Sequence, residues 1–346
     1  MKELKKVSTA HGEVTLVTLT NATGASVELT TVGAGIVAVK VQDREGKLDD
    51  VALGYADADS YFGDGPACGK IPGRYANRID RGQFELDGVK YQIPVNNGPN
   101  SCHSGPEGFH NLNWELTETT DNSATFTHVS PDGETGFPGK LTIIAKYVWT
   151  DDNAIELTIK ATTDKATVLN LTNHAYWNLA GHNSGSVKDH VLEMPASKWL
   201  KTDQYLLPTG DILPVDGTPM DFRTAKTIGR DFDLTFEALK FGKGYDNCWV
   251  IDSPEGTMHT AAILSEPVSG RKLEVITDQP AAQVYTGNWL TGCPANKAGR
   301  SYDDYDGVAI ECQNYPDAPN HPTFPNSVLR PGEEYVRHIT YKFTVF

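Results

Sequence analysis

The stretch KLTIIAKYVWTDDNAIELTIKATT, residues 140–163, decides the fold class of this chain. Two strand-forming runs flank a polar Asp-Asp-Asn group at residues 151–153, which is the pattern of a β-hairpin with a short connection. The pattern recurs in GQFELDGVKYQI, residues 82–93, where an Asp-Gly pair readily takes the positive φ angles of a two-residue turn. Both stretches predict antiparallel strands joined by tight turns.

Strand patterns also cover much of the remaining chain. Residues 12–21 and 25–43 are rich in Val and Thr and are punctuated by Gly, and residues 334–346 alternate as one long strand with an aromatic-rich face. Helical patterning is scarce, with one candidate short helix at residues 231–240. Because strands and helices do not alternate, a parallel doubly wound sheet is disfavoured.

The chain has 346 residues, which is long for an ordinary domain but within the reach of one large sandwich. No linker-like break in composition divides it. The sequence therefore predicts an all-β protein, a single large antiparallel β-sandwich domain over residues 1–346 with few short helices. Long loops carried on such a scaffold are where functional residues usually lie.

Charge and cysteine content narrow the partners and the compartment. A net charge of -15 argues against nucleic acid and an anionic membrane surface as partners, and weakly against a phosphorylated substrate. No apolar run has the length of a membrane span, and the N-terminal lysines precede no apolar stretch of the kind that a secretory signal needs. Five cysteines without CxxC pairing indicate reduced thiols, so we expect a cytoplasmic protein.

Glu311 and His174 are the most suggestive candidates for chemistry. Glu311 follows the apolar residues 307–310, where we expect a strand to end, and a buried carboxylate there can act as a general base. The alternative is a carboxylate that pairs with an arginine at the strand end. His174 stands between Asn173 and an Ala-Tyr-Trp run, and it suits a general acid, a ligand or a satisfied core residue.

Polar loops supply further candidates. His103 lies in the turn-rich residues 96–105 and either contacts a ligand or caps a turn. Asn77 and Arg78 can hydrogen-bond a polyol, Arg78 through its planar guanidinium fork. Arg74 either does the same or pairs with an acidic surface. Asp246, after a glycine-rich approach, is either a binding group or a turn carboxylate.

Motifs for other chemistries are missing from the sequence. The ten histidines show no HxH, HExxH or Cys/His spacing, so a metal site is disfavoured, although His103, His174 and Glu311 can still converge in space. There is no P-loop, no GxGxxG after a strand and no GxSxG elbow, which argues against nucleotide, dinucleotide and α/β-hydrolase functions. We expect neither a cofactor nor a metal.

Six motifs, taken together and in order, resemble the galactose mutarotase (aldose 1-epimerase) family. They are GRYANRI (73–79), NLTNHAYWNLAG (170–181), TPMDFR (218–223), GYDN (244–247), YTGNWL (285–290) and ECQNYPDAPNHPTFP (311–325). The resemblance runs from about Gly33 to the C-terminus. It implies the family's supersandwich with an open cleft, and an enzyme that interconverts the α and β anomers of free aldohexoses such as galactose and glucose, without a cofactor.

The resemblance also implies roles for individual residues. Glu311 matches the family's base, His174 its acid, and His103 a group that helps to hold the ring-oxygen side; base and acid are expected at opposite edges of one pyranose. The residues implied to bind sugar hydroxyls are Asn77, Arg78, Asp246 and Gln283. Tyr176, Trp177 and Tyr285 either stack on the sugar or belong to the core. Cys102 and Ser104 around His103, and Asn247 after Asp246, depart from the family pattern.

Three other functions stay open from the residues alone. A non-catalytic sugar-binding sandwich would need the hydroxyl-binding residues but neither Glu311 nor His174. A glycoside hydrolase would use Asp246 and Glu311 as its carboxylate pair. A sugar-phosphate epimerase would need a basic cluster, and none is evident in this acidic chain. The substrate is expected to be a small sugar and the protein a monomer or homodimer, with the preferred aldose undetermined.

Overall fold

The computed structural model describes residues 1–254 and 256–346, and strands dominate it. In chain order the strands are β1 (Lys2–Thr9), β2 (Gly12–Thr20), β3 (Ser26–Thr30), β4 (Gly35–Gln42), β5 (Leu48–Asp50), β6 (Arg78–Ile79), β7 (Gln83–Leu86), β8 (Val89–Gln92), β9 (Ser101–Cys102), β10 (Glu115–Thr119), β11 (Ser123–Ser130), β12 (Leu141–Trp149), β13 (Ala154–Thr163), β14 (Thr167–Val168), β15 (Tyr176–Trp177), β16 (Val191–Glu193), β17 (Lys198–Thr202), β18 (Pro208–Pro214), β19 (Lys226–Thr227), β20 (Asp246–Val250), β21 (His259–Ser265), β22 (Arg271–Thr277), β23 (Ala281–Tyr285), β24 (Val308–Gln313), β25 (Val328–Leu329) and β26 (Tyr335–Val345).

Helical structure is short throughout the described residues. One α-helix, α1, covers Glu237–Gly242. Single 3₁₀ turns lie at Asp59–Tyr61, Asp80–Gly82, Phe109–Asn111, Glu134–Gly136, Val187–Asp189 and Ala318–Asn320. None of the helices in this part of the chain combines the length and the apolar character that crossing a bilayer requires.

Three antiparallel sheets make up most of the molecule. A five-stranded sheet has the order β1-β2-β3-β4-β5, a nine-stranded sheet the order β10-β11-β12-β13-β26-β22-β21-β16-β19, and a six-stranded sheet the order β15-β24-β23-β20-β17-β18. The pairs β6–β9, β7–β8 and β14–β25 form small two-stranded sheets. This confirms the predicted all-β, antiparallel sandwich with few short helices.

The two predicted hairpins form with the predicted turns. Strands β12 and β13 pair from Leu141 opposite Thr163 to Trp149 opposite Ile155, and the connection contains Asn153 at a φ of 59°. Strands β7 and β8 flank an Asp-Gly pair at residues 87–88 whose φ angles are 51° and 78°, as a two-residue turn requires. The helix predicted at residues 231–240 forms only from Glu237, because a run of turns occupies the residues before it.

Strand β1 lies outside the predicted elements, and its composition explains why. It is an edge strand rich in lysine, with most of its side chains exposed, and it carries little hydrophobic alternation. Charged side chains of this kind discourage a sheet edge from pairing with another chain. The strand pairs with β2 along its whole length, from Lys2 opposite Leu19 to Thr9 opposite Gly12.

Large aromatic residues join the three sheets into one hydrophobic core. The Trp177 ring of β15 lies 5.0 Å from the Tyr341 ring and 5.4 Å from the Phe343 ring of β26, which links the six-stranded and nine-stranded sheets. On the other side, Tyr147 Oη donates to the Ala34 carbonyl at 2.6 Å, and this bond ties the nine-stranded sheet to the five-stranded sheet. One face of the six-stranded sheet therefore packs into the shared core, and its opposite face is available to contact loops or a ligand.

Gly69 joins the five-stranded sheet to the loop that carries His174. The Gly69 carbonyl accepts from the Ile36 amide and its own N–H donates to the His174 carbonyl, both at 2.9 Å. Its φ is +76°, and a Cβ at this position would lie 1.9 Å from the Ile36 carbonyl oxygen. The backbone approach is so close that only glycine fits without displacing β4.

Replacing Gly69 by alanine is expected to destabilise the fold far more than the same change at Gly46. Gly46 has a similar φ of +81°, but a Cβ added there would meet no atom within 4 Å, so G46A carries only the conformational cost, about 1 kcal/mol. G69A adds the clash with β4 and is expected to cost more than about 3 kcal/mol. Urea unfolding of both variants measures the difference, and equal losses would contradict this account of Gly69.

Candidate active site

A cleft of about 580 Å³ opens on the face of the six-stranded sheet that points away from the shared core. Loops from the β6–β9 region and from the β17–β18 connection form its walls. The described residues that line it are Gly65, Pro66, Asn77, Arg78, Asn97, Gly98, Cys102, His103, His174, Tyr176, Gln204, Tyr205, Leu206, Asp246, Tyr285, Trp289 and Glu311.

Strand register brings four of the predicted residues to one face of the six-stranded sheet, although Gln283 is buried and is not among the residues that line the cleft. Glu311 of β24 lies opposite Gln283 of β23, and Tyr285 of β23 lies opposite Asp246 of β20. Because successive side chains of a strand point to opposite faces, these four residues share one face of the sheet. Tyr176 of β15 joins them from the other side of β24. Period-2 alternation thus gathers residues from four strands into one surface.

Glu311 lies inside a strand, and not after a strand end as the sequence suggested. Strand β24 continues to Gln313, and all six of its residues are buried. Ile310 and Cys312 belong to the hydrophobic core, while Glu311 points to the opposite face with 2% of its surface exposed. The strand is buried along its whole length, and apolar residues precede Glu311 without a break.

His174 is in direct contact with Glu311. The Nε2 atom of His174 lies 3.3 Å from Glu311 Oε1. The loop before Ile71 holds the His174 backbone, because the His174 N–H donates to the Lys70 carbonyl at 2.8 Å and the His174 carbonyl accepts from the Gly69 N–H. The two side chains thus lie side by side, whereas the sequence led us to expect them at opposite edges of a sugar.

Burial governs the protonation of this pair. It raises the pKa of Glu311 well above its usual value, with the Asp246 carboxylate adding to the rise and Arg78 opposing it. Burial also lowers the pKa of His174 from 6.5 to about 4. Both shifts disfavour charge, so at pH values between the lowered pKa of His174 and the raised pKa of Glu311 the pair holds one proton, and its neutral form carries that proton on Glu311. Glu311 Oε2 has no hydrogen-bond partner among the described residues.

His103 lies beside this pair as a neutral ring. Its Nδ1 atom accepts from the Asn77 N–H at 3.1 Å, which leaves the ring proton on Nε2. Burial lowers the pKa of His103 well below 6.5, and the nearby His174, His110 and Arg78 add to this effect. The ring centroids of His103 and His174 are 5.3 Å apart, with the planes nearly perpendicular. His103 can therefore offer a hydrogen bond without carrying charge.

A second cluster of polar groups centres on Asp246. Its Oδ2 atom accepts from Arg78 Nη2 at 3.0 Å and its Oδ1 atom accepts from Gln283 Nε2 at 2.6 Å. Arg78 Nε donates to Asn97 Oδ1 at 3.1 Å, and the Arg78 backbone N–H donates to Asn77 Oδ1 at 2.8 Å. The Arg78 guanidinium and the Gln283 amide are thus fixed in direction before a ligand arrives, which suits the recognition of hydroxyls.

The structure also decides between the alternatives that the sequence left open for Trp177, Tyr285 and Arg74. Trp177 belongs to the core, whereas Tyr285 lines the cleft. Arg74 is fully buried and binds neither the cleft nor an acidic surface: its guanidinium donates to Ser130 Oγ and to the carbonyls of Pro131 and Pro138. The five cysteines are free thiols, three of them buried.

Some residues of the cleft escaped the sequence analysis. Asn97 lies in the same polar loop as His103, so its contact with Arg78 had a signal in the turn-rich composition of residues 96–105. Trp289 lies within the YTGNWL motif but looks like any other apolar residue in sequence. Tyr205 has no motif at all and enters the cleft only because the β17–β18 connection folds over it.

Comparisons with known proteins agree with this structure. A family model described as aldose 1-epimerase matches residues 15–342. Human galactose mutarotase is 39% identical over 322 residues, covering 92% of this chain and 91% of that protein, and the aldose 1-epimerase of Escherichia coli K12 is 36% identical, covering 95% and 94%.

Solved structures show the same likeness. The crystal structure of an aldose epimerase homologue from C. elegans has a TM-score of 0.88 at 31% identity and covers 99% of both chains. That of a galactose 1-epimerase from Lactobacillus acidophilus has a TM-score of 0.87 at 27% identity, covering 100% of this chain and 99% of the other. The resemblance first read from six sequence motifs is confirmed, and the chain belongs to the aldose 1-epimerase family of isomerases.

Proposed function

We propose that this enzyme interconverts the α and β anomers of free aldoses such as galactose and glucose, with Glu311 and His174 moving the protons. One observation carries the assignment of roles: a buried carboxyl and a buried imidazole touch at 3.3 Å at the base of the cleft. The name galactose mutarotase, given to relatives 39% identical to this chain, supports a hexose as substrate.

The contact between the two groups suits the chemistry of a hemiacetal. Ring opening takes a proton from the C1 hydroxyl and adds a proton to the ring oxygen, while the C1–ring oxygen bond breaks and the C1 carbonyl forms. Both oxygens are bonded to C1, so a base and an acid that lie side by side can reach both. Glu311 takes the hydroxyl proton and protonated His174 supplies the other, each transfer typically contributing about 10²- to 10⁴-fold in rate.

Ring closure restores the enzyme without outside help. After rotation about the C1–C2 bond, Glu311 returns its proton to the carbonyl oxygen and His174 recovers its proton from the former ring oxygen, which attacks the other face of C1. The neutral pair, with the proton on Glu311, is the state that ring opening leaves behind. Transfer of that proton across the 3.3 Å contact gives the charged pair that starts the opening step.

Asp246, Arg78 and Asn77 are proposed to hold the hydroxyls far from C1. The first two form a buried ion pair at 3.0 Å, and charge-assisted hydrogen bonds from such groups are strong and directional. Gln283 orients Asp246, and His103 donates toward the ring-oxygen side. Tyr176 is placed to contact the sugar's C–H face, as aromatic rings in sugar sites do.

Two competing functions fit the geometry less well. Both carboxylate oxygens of Asp246 are engaged, by Arg78 and by Gln283, which suits a fixed hydroxyl acceptor better than the acid of a glycoside hydrolase. Among the described residues that line the cleft, Arg78 is the one arginine or lysine, and Asp246 pairs with it. A phosphate group would therefore find no unpaired cation in that lining, which disfavours a sugar-phosphate substrate.

We further propose a cytoplasmic protein that forms one domain and works as a monomer or homodimer, without a metal or organic cofactor. Five unpaired cysteines favour a reducing compartment. The shared core of the three sheets favours a single domain. The proton chemistry at Glu311 and His174 needs no further group.

Replacing Glu311 by glutamine is expected to lower kcat for anomer exchange by about 10²- to 10⁴-fold, because the amide cannot take the hydroxyl proton. Unfolding free energy is expected to stay as high as in the wild type, since the buried site already disfavours the charged carboxylate. Polarimetry with freshly dissolved α-glucose measures the rate. E115Q, an exposed change on β10, is the control and should keep full activity; near-normal rates for E311Q would exclude Glu311 as the base.

Replacing His174 by glutamine is expected to lower kcat by at least about 10²-fold while the protein stays folded. The matched control is H190Q, because His190 is equally buried, with a pKa lowered to about 4, but accepts from the Leu179 N–H away from the cleft. H190Q should lower the melting temperature and spare kcat. If H174Q behaves like H190Q, His174 is a structural histidine and the proposed acid is wrong.

The pH profile of kcat/KM is expected to be bell-shaped, provided that ring opening limits the rate. Below a pH of about 4 the pair takes up a second proton and Glu311 can no longer act as a base, because the pKa of His174 is lowered to about 4. At high pH the pair loses its single proton as the pH passes the raised pKa of Glu311, and the acid is lost. Initial polarimetric rates across this range test it; an acid limb centred near 6.5 would indicate an unperturbed histidine.

A further inference from the structure

Lys70 and Asp64 form an ion pair that is completely buried and lies outside the cleft lining. Lys70 has none of its surface exposed, and the side chain of Asp64 is equally buried. A lysine is almost never fully buried unless it is paired. Replacing a buried ion pair by well-packed apolar residues often costs no stability, so stability alone does not explain why this chain keeps two charges here.

The Lys70 ammonium joins three segments of the chain. Its Nζ atom donates to the Tyr61 carbonyl, to Asp64 Oδ1 and, at 3.1 Å, to Asn111 Oδ1. An ammonium group has three N–H donors, and these three acceptors satisfy all of them. The position of the ammonium is therefore fixed by contacts that come from both sides of it in the sequence.

The Asp64 carboxylate closes the loop of residues 64–70 onto itself. While Oδ1 accepts from Lys70, Oδ2 accepts from the Cys68 N–H at 2.8 Å and from Tyr55 Oη at 2.9 Å. The Lys70 N–H also donates to the Ala67 carbonyl at 3.1 Å. The carboxylate thus binds the side chain at the end of the loop and the backbone in its middle, which holds the loop in one shape.

This loop supports the proposed acid and the tyrosine beside it. The Lys70 carbonyl accepts from the His174 N–H at 2.8 Å, and the Gly69 N–H donates to the His174 carbonyl at 2.9 Å. The Pro66 carbonyl accepts from Tyr176 Oη at 3.1 Å. The backbone of His174 and the side chain of Tyr176 therefore take their positions from the loop that the ion pair closes.

The third acceptor of Lys70 connects it to the loop that carries His103. After His103 the chain runs through successive turns, in which the Gly108 N–H donates to the Gly105 carbonyl at 3.1 Å and the Asn111 N–H donates to the Gly108 carbonyl at 2.9 Å. The side chain of Asn111, at the end of these turns, accepts from Lys70. One ammonium group thus links the loops of both imidazoles that face the cleft.

We propose that Asp64 and Lys70 are positioning residues for anomer exchange, and that their ion pair holds the loops of His174 and His103 so that both imidazoles reach the same sugar. Neither residue lines the cleft, so both act through the groups that they hold. Misplacing a catalytic group by about 1 Å can cost about 10²-fold in rate, which gives such a device its value. This inference rests on the proposed anomer exchange at Glu311 and His174.

The cation of the pair also acts on His174 through space. Burial is the main reason why the pKa of His174 is lowered to about 4; Asp246 opposes this effect and Lys70 adds to it. The other titratable or charged groups around His174 are Glu311 of β24, Tyr285 of β23, Tyr176 of β15, and His103, His110 and Arg78 from β6 and the loops beside it. Removing the Lys70 charge leaves these groups in place, so the pKa of His174 should rise.

The test removes both charges at once and nearly keeps the side-chain volumes. D64N/K70M is expected to stay folded, whereas K70M alone leaves a buried carboxylate unpaired and should lower the melting temperature. In the double variant, kcat for α-glucose by polarimetry should fall about ten- to hundredfold while KM stays within about threefold, because neither residue touches the sugar. The acid limb of kcat/KM, expected at a pH of about 4 in the wild type, should move to higher pH as His174 loses the neighbouring cation.

N111A separates the geometry of the linkage from its charge. This change removes the acceptor on the His103 loop but leaves Asp64 and Lys70 charged and paired. We expect kcat to fall about three- to tenfold, with the acid limb where it is in the wild type.

The matched control is K226M/D231N. Lys226 is also buried and donates to Asp231 Oδ2 at 2.7 Å and to the Pro219 carbonyl at 2.9 Å, but it lies on β19 at the edge of the nine-stranded sheet. This variant should lose melting temperature at most, and its kcat and acid limb should match those of the wild type.

The outcomes distinguish the two proposals. A folded D64N/K70M enzyme that keeps kcat within about threefold of the wild type, or whose acid limb does not move, would show that the pair is only structural. If the double variant does not fold, wild-type kcat in N111A would overturn the positioning role instead. A wild type that fails to accelerate anomer exchange would overturn the proposed function itself.

Discussion

The burial of one carboxylate inside a fully covered strand is the constraint on which the rest of the site depends. Strand β24 contributes Ile310 and Cys312 to the core that the sheets share, so its position cannot relax without disturbing that core. Glu311 therefore stays where water cannot stabilise its charge, and its pKa rises. Burial thus favours the protonated form of this group, and His174 lies beside it at 3.3 Å, within reach of a proton transfer.

The neighbours of the pair decide how far its protonation shifts. Asp246 adds negative charge near Glu311, but Arg78 neutralises much of it through their ion pair. His103 stays neutral, so it does not stabilise the carboxylate as a cation would. The free site thus favours the uncharged pair, and a hydroxyl donating to the unpaired Glu311 Oε2 would favour the charged one. In this way binding energy from the sugar can go toward the reactive protonation state.

Local sequence patterns predicted the strands and hairpins. They did not predict features that depend on packing between residues far apart in the chain, such as the extent of β24 and the environment of Arg74. The hairpins of β7–β8 and β12–β13 follow from turn residues and apolar runs that lie next to each other in sequence. The sequence analysis placed the end of β24 too early, because a carboxylate after an apolar run usually marks the end of a strand. Here the strand continues to Gln313, and all of its residues are buried. The environment of Arg74 could not be predicted either, since half of its hydrogen bonds go to backbone carbonyls, which carry no sequence signal.

Family resemblance supplied the proposed site residues, and the register of the six-stranded sheet explains why those on its strands lie together. A one-residue slip between β23 and β24 would move Gln283 to the core face while Glu311 stayed in the cleft. Ala282 and Val284 of β23 belong to the hydrophobic core and oppose such a slip, because it would turn them toward the cleft. Packing in the core thus sets the distance between Glu311 and Asp246, and that distance limits which ligands can contact both carboxyl groups.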